Sequence, residues 1–411
     1  MMVQNIKLIT NILSLYGLSV AKIVFPLLTL PYLTRVLSVD CYGVVAYVKA
    51  VMQYMQLIVD FGFMLSGTKD IVEARDNKEK LEQEMCDILV ARIILALIGL
   101  IVLLLMIAVL PILRSRAVYT LLSYVTVFLS VFLFDYYFRG IEKMQVLTIR
   151  FVVMRGIATL LTIVFVKSDE DILLIPLFDL IGSLLAVGLV VYELRKVSIS
   201  VKFKSIKTAL VKLKESFIYF ASDMATTAFG ALNTLLIGAF LPAMEVAYWS
   251  VSMQLIGAVQ TMYNPITSGI YPNMIKTKSF SFIKKLLFIF MPIIFVGTIF
   301  SYFIAPYVLL IVGGKQYLAA QDLFRLLLPV LIFSFPAMVF GWPTLGALDK
   351  VKQVTKTTVL SAIVQVISLL VLLVAGYFNI MWIAVSRCIT ELVLMLSRGL
   401  YCWKYKNEFN E

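Results

Sequence analysis

YGVVAYVKAVMQYMQLIVDFGFMLS, Tyr42 to Ser66, is an apolar segment of membrane-spanning length that nevertheless carries a lysine and an aspartate. Its polar residues Lys49, Gln53, Gln56 and Asp60 recur at helical spacing. At 100° per residue they fall within an arc of about 60°, stacked over roughly 16 Å of helix. The other faces carry Val, Leu, Met, Ile and Tyr. Charges at membrane depth are costly unless they face a bundle interior or a watery cavity. The stripe therefore reads as the wall of a polar cavity inside an all-α membrane protein.

Composition agrees. The 411 residues are 61% hydrophobic and 15% charged, with a mean hydropathy of +0.97. A soluble chain of this length could not hide so much apolar surface. The net charge of +12 is what inside loops carry under the positive-inside rule, so nucleic acid is not implied as a partner. Histidine is absent, which removes histidine triads, metal ligands and proton relays. Cys41, Cys86, Cys388 and Cys402 form no CxxC pair, so neither a disulfide framework nor a metal site is indicated. No cofactor is implied. The segment from Asn11 to Thr34 is too long for a signal-peptide core and is expected to remain as an anchor.

Apolar runs give twelve expected spans: 11–34, 42–66, 86–110, 117–138, 146–166, 172–194, 216–240, 244–270, 286–311, 321–346, 355–377 and 380–402. With the N-terminus inside, 24 Lys and Arg fall on inside segments and 5 on outside turns. Both termini are thus expected to be cytoplasmic. The basic stretch 197–215 is expected to be a cytoplasmic linker on the anionic inner leaflet. It separates two six-helix halves, 1–196 and 216–411, placed around a central cavity. Ser250, Gln254, Gly257 and Thr261 echo the spacing of the Lys49 stripe, as in transporters built from repeated halves.

Besides Arg150 and Lys356, which are counted with the inside segments, seven cations remain within the spans: Lys22, Lys49, Arg92, Arg155, Arg325, Arg387 and Arg398. For each, a structural salt bridge or a snorkelling side chain competes with a functional role. Arg92, Arg325 and Arg398 lie near the ends of their spans and read as structural. Arg387 and Glu391, four residues apart, read as a pair. Lys22 shares a stripe with Asn11, Ser14, Pro26 and Thr29. Arg155 shares one with Thr148, Thr159 and Thr162. Together with Lys49 these two define a cavity that attracts an anion, and phosphate is the usual partner of such residues. Asp223 lies on a face with Thr226, Thr227, Gly230, Asn233 and Thr234. Asp60 and Asp223 read as carriers of a coupling proton, as ligands of sugar hydroxyls, or as partners of a nearby cation. Pro26, Pro31, Pro329, Pro336 and Pro343 favour kinks that serve either as hinges or as packing features. No catalytic residues are evident: there is no nucleotide-binding glycine loop, no acidic metal motif and no loop large enough for a catalytic domain.

The run VFPLLTLPYLTRVL (Val24–Leu37), Tyr42-Gly43, Asp60-Phe61-Gly62-Phe63, Ser66-Gly67-Thr68-Lys69 and the loop through Arg75-Asp76 resemble the N-terminal signature of Wzx-type bacterial polysaccharide flippases (O-antigen translocases). These belong to the multidrug/oligosaccharidyl-lipid/polysaccharide exporter superfamily. Leu232-Asn233-Thr234, Ile237-Gly238 and the stretch from Asn264-Pro265 to Tyr271-Pro272 look like the family's seventh and eighth helices. The resemblance implies a multi-pass inner-membrane protein, not an enzyme, that moves undecaprenyl-pyrophosphate-linked oligosaccharide by alternating access, with ion coupling. Its implied partners are that lipid-linked oligosaccharide, membrane lipids and other glycan-assembly proteins. Related flippases often carry aspartate where Asn233 stands here. On this reading Lys22, Lys49 and Arg155 meet the pyrophosphate, Gln53, Gln56, Asn233 and Gln254 line the glycan's path, and the prenyl tail stays in lipid. The alternatives are a multidrug exporter of the same superfamily, a membrane-embedded polymerase or acyltransferase, and a purely structural protein. Export of cations needs acidic walls, and the enzymes usually need a large outside loop or a catalytic histidine.

Overall fold

The computed structural model describes residues 2–197, 199 and 206–409, with side chains described except at 2–9, 12, 222 and 225–230. The chain divides into two compact units, Met1–Met224 and Ala225–Glu411. In the first, α1 (Met2–Val36), α2 (Val39–Asp60), α3 (Phe63–Ala74), α4 (Lys78–Val109), α5 (Pro111–Arg114), α6 (Ala117–Leu129), α7 (Asp135–Gly140), α8 (Met144–Phe165) and α9 (Leu174–Lys196) follow in order. A long helix, α10 (Ile206–Phe240), leads into the second. There α11 (Ala243–Thr261), α12 (Tyr263–Thr277), α13 (Phe280–Gly313), α14 (Gln321–Leu327), α15 (Pro329–Val339), α16 (Val351–Val374) and α17 (Ile380–Lys404) complete the chain. All twelve expected spans are helical. Among the described residues, ten helices are long and apolar enough to cross a membrane.

The second expected span is two helices, because the chain reverses its hand at Phe61 (φ 41°) and Gly62 (φ 76°). Left-handed backbone is easy only for glycine. A Cβ at Gly62 would also lie 2.5 Å from the Tyr219 Cβ and 2.7 Å from the Phe220 nitrogen. Ser38 accepts from the Cys41 amide to start α2, and Asn77 accepts from Lys80 to start α4, so both helices open with a side-chain cap.

Breaking a helix frees carbonyls, and in hydrocarbon each needs an internal donor. Arginine supplies it repeatedly. Arg92 on α4 donates to the carbonyls of Val59 and Val131. Arg150 on α8 donates to Leu133, beside the left-handed Phe134, and pairs with Asp135. In the second unit Pro306 has no N–H to offer Tyr302, and Arg325 Nε donates to that carbonyl at 3.0 Å. The tenth span becomes a π-helical stretch over Phe340–Gly346, kinked at Gly341. Arg398 donates to Ala337 at 2.7 Å, and the Thr344 hydroxyl bonds Val339, the carbonyl stranded by Pro343. By contrast α1 stays helical through Pro26 and Pro31.

The unit boundary falls within α10, downstream of the basic stretch 197–215. Of that stretch, 198 and 200–205 lie outside the described residues. Over 206–220 one face packs against α3 and α4 within the first unit. The Thr208 hydroxyl donates to Asp87 at 2.7 Å, and Ala209 is fully buried. Lys212 reaches Glu84 at 2.7 Å and Asp70 at 2.9 Å. Ser216 bonds Ser66, and Phe220 stacks on Phe61. Lipid tails are as apolar as leucine, so close packing and polar contacts of this kind hold such helices together.

Candidate functional site

The Lys49 stripe lies on α2 as one accessible line. Lys49 and Gln53 are exposed and Gln56 and Asp60 half-buried, while Val48, Ala50, Val51, Met55 and Val59 on the other faces are buried. Gln56 donates to the Ser130 hydroxyl at 3.0 Å and hydrogen-bonds Asp60. Asp60 is held by Arg92 Nη2 at 2.6 Å. The lower half of the stripe is therefore tied into the structure, and the Lys49–Gln53 half is open.

Two further cations stand near it. Lys22 on α1 is exposed, with its ammonium 5.9 Å from the centre of the Phe151 ring on α8. Arg155, one turn beyond Phe151, is exposed and forms a 2.8 Å ion pair with Asp179 on α9. Gly182 sets that pair. A Cβ there would meet the Met154 carbonyl at 2.4 Å, so only glycine lets α9 approach α8 this closely. The approach brings Asp179, one turn before Gly182, against Arg155. Lys49 lies close enough to Arg155 and Asp179 to feel both charges. Lys49 and Arg155 thus stand as two cations against one carboxylate, with Lys22 beside Phe151 one turn of α8 from Arg155.

The threonines expected beside Arg155 do different work. Thr159 and Thr162 are buried, and Thr148 donates to the Ser14 carbonyl at 2.7 Å, so this face packs helices. Arg150 was counted among loop charges, but it is buried inside α8 as a carbonyl donor. Its spacing from Asp135 carried no signal of that role.

In the second unit the polar groups are enclosed. Asn233 is fully buried and accepts from Gln365 Nε2 at 3.1 Å. Gln365 donates also to Ser386 at 3.0 Å. In this structure Asn233 therefore presents no surface to a glycan. Arg387 and Glu391 pair at 2.7 Å with only 6% and 5% of their side chains accessible. Gln254 is half-buried on α11, as are Ser250, Gly257 and Thr261. Asp223 on α10 is half-buried. The side chains of Thr226, Thr227 and Gly230, expected on the same face, lie outside the described residues.

Among the described residues no group of three or more Cys, Asp or Glu could hold a metal ion. The arrangement offers cationic anchoring with amide hydrogen bonding along one helix face.

Residues 8–278 match the family described as polysaccharide biosynthesis protein. The chain belongs to that family. The resemblance read from residues 24–76 is borne out at this level. A relative of this polysaccharide biosynthesis protein in Shigella dysenteriae, provisionally named an O-antigen transporter, is 27% identical over 398 residues, covering 94% of this chain and 98% of the relative. Among solved structures, lipid II flippase MurJ in an inward closed conformation is similar at a TM-score of 0.74 and 13% identity, over 96% of this chain and 87% of that one. An inward-facing multidrug resistance transporter of the MATE family and MOP superfamily is similar at 0.66 and 14% identity, over 96% and 99%. These likenesses establish the fold of a multi-pass protein, whose place is the bacterial inner membrane.

Proposed function

We propose that this chain is a flippase that moves oligosaccharide units, linked through pyrophosphate to undecaprenol, across the bacterial inner membrane by alternating access. The relative named as an O-antigen transporter supports the substrate class, and the likeness to a lipid II flippase supports the fold's suitability for it. One observation carries the reading. Arg92, Arg150, Arg325 and Arg398 are each taken up by backbone carbonyls, and Arg387 is paired with Glu391. Lys22, Lys49 and Arg155 stay accessible at membrane depth. Charges held there without full compensation are a cost unless a ligand of opposite sign uses them.

The pyrophosphate meets Lys22, Lys49 and Arg155, whose attraction is strengthened by low-dielectric walls. Gln53 on α2 supplies hydrogen bonds to sugar hydroxyls, each of which costs about 1–3 kcal/mol if left unpaired away from water. The prenyl tail remains in lipid. The cycle makes and breaks no covalent bond. An ion gradient drives it through carboxylates, Asp223 being better placed than Asp60, which Arg92 already holds.

Deletion of the gene tests this directly. The expected result is accumulation of a pyrophosphate-linked prenyl glycan on the cytoplasmic leaflet, relieved by the wild-type chain and not by Lys22→Ala/Lys49→Ala. Deletion with no build-up of such a lipid would reject the proposal.

A further inference from the structure

Resting on the anion-binding reading above, we infer that Asp179 is a resident counter-anion: it occupies the Arg155 guanidinium in the empty carrier and yields it to the diphosphate of the substrate. The geometry separates this ion pair from the structural ones. The Arg387–Glu391 pair is sealed, and Arg92 is buried with its guanidinium shared between Asp60 and two carbonyls. Arg155 and Asp179 retain 46% and 33% side-chain accessibility. Among the described residues the Arg155 guanidinium makes one hydrogen bond, from Nη1 to Asp179 Oδ1. Where arginine must hold a carboxylate firmly, it generally uses its two-pronged fork. Here the fork is half used, and the remaining donors stay available to an anion with more oxygens.

Position adds a second argument. Asp179 sits within electrostatic reach of Lys49 and of the Tyr119 hydroxyl. A carboxylate there offsets some of the mutual repulsion of Lys49 and Arg155 while no substrate is bound. When a diphosphate arrives, Arg155 exchanges one anion for another, so its guanidinium is left bare at no stage. When the diphosphate leaves, Asp179 takes Arg155 back. The carboxylate therefore lowers affinity and speeds release, as a carrier that must unload requires. A residue that merely aimed Arg155 at the ligand would have the opposite effect on binding.

The sign of the effect decides between the two. Farnesyl pyrophosphate serves as the probe, with farnesol as its uncharged control, titrated into the detergent-purified full-length chain. Asp179→Asn is expected to bind farnesyl pyrophosphate about 2- to 5-fold more tightly than wild type, the order of an accessible ion pair. Asp179→Glu is expected to restore wild-type affinity, and Lys49→Ala to weaken binding. In a transport assay Asp179→Asn should lower both KM and kcat. If Asp179→Asn does not fold, Asp179→Ser is read in the same way. Binding by the neutral variant that is weaker or unchanged, while Lys49→Ala still weakens it, overturns the role given to Asp179 and leaves the cationic face standing. Equal binding of farnesol and farnesyl pyrophosphate, untouched by Lys49→Ala, removes the anion site and this inference with it.

Discussion

On α2 of the first unit Lys49 and Gln53 stand exposed, with Lys22 and Arg155 close by, whereas in the second unit Asn233, Gln365 and Ser386 are sealed among α10, α16 and α17. Both sets are polar residues set in apolar helices. They differ in what encloses them. The second unit's groups bond one another, and Arg387 has its own glutamate. Lys22 and Lys49 have no ion pair among the described residues, and Arg155 has a partner it shares with solvent. A polar group used up internally holds helices together, and one left over can hold a ligand.

Variants can break that contrast. The largest effect is expected from Glu391→Gln, which leaves the Arg387 charge buried and uncompensated. Loss of about 3–5 kcal/mol of stability follows, read as a fall in thermal unfolding temperature, with farnesyl pyrophosphate binding retained in the folded fraction. Arg92→Met belongs with it in the first unit, since it strips a donor from two carbonyls and a partner from Asp60. Lys49→Ala should do the reverse: unfolding unchanged, affinity for the diphosphate reduced about 10- to 100-fold by loss of a charged hydrogen bond. Gln365→Leu should cost about 1–3 kcal/mol by stranding Asn233, again without touching binding.

The smallest effect is at Lys212. Burial opposes its charge, but hydrogen bonds with Glu84 and Asp70 outweigh this and hold it above the ordinary lysine range. Because the folded value is raised, the contribution is whole below the unfolded lysine value of about 10.4. It fades only as the pH rises through the elevated folded value. Lys212→Met should therefore cost about 1 kcal/mol, with the same difference from wild type at pH 7 and pH 9. A difference that shrinks over that interval would contradict the assignment.

Much of the fold was legible because apolar length is a strong signal: each of the twelve runs is helical. The breaks were harder. Proline marked the tenth span, where Gly341 kinks it, but Phe134 turns left-handed with nothing around it to announce a stop. Arg150 was missed for that reason, since its role is to serve the carbonyl freed at that hidden break. Lys49 and Gln53 could be read as an accessible stripe because their neighbours on the other faces are uniformly apolar. Asn233 could not be placed, because its burial depends on Gln365 and Ser386, more than a hundred residues away. Spacing reports which residues share a face and says nothing of what covers it.

The most direct measurement is translocation of a fluorescent prenyl-pyrophosphate oligosaccharide in proteoliposomes. It compares wild type, Lys22→Ala/Lys49→Ala and the charge-preserving Lys22→Arg/Lys49→Arg. The account predicts flux from wild type, a large part of it from the arginine pair and background from the alanine pair, with all three equally folded. Wild-type flux from a folded alanine pair would contradict it.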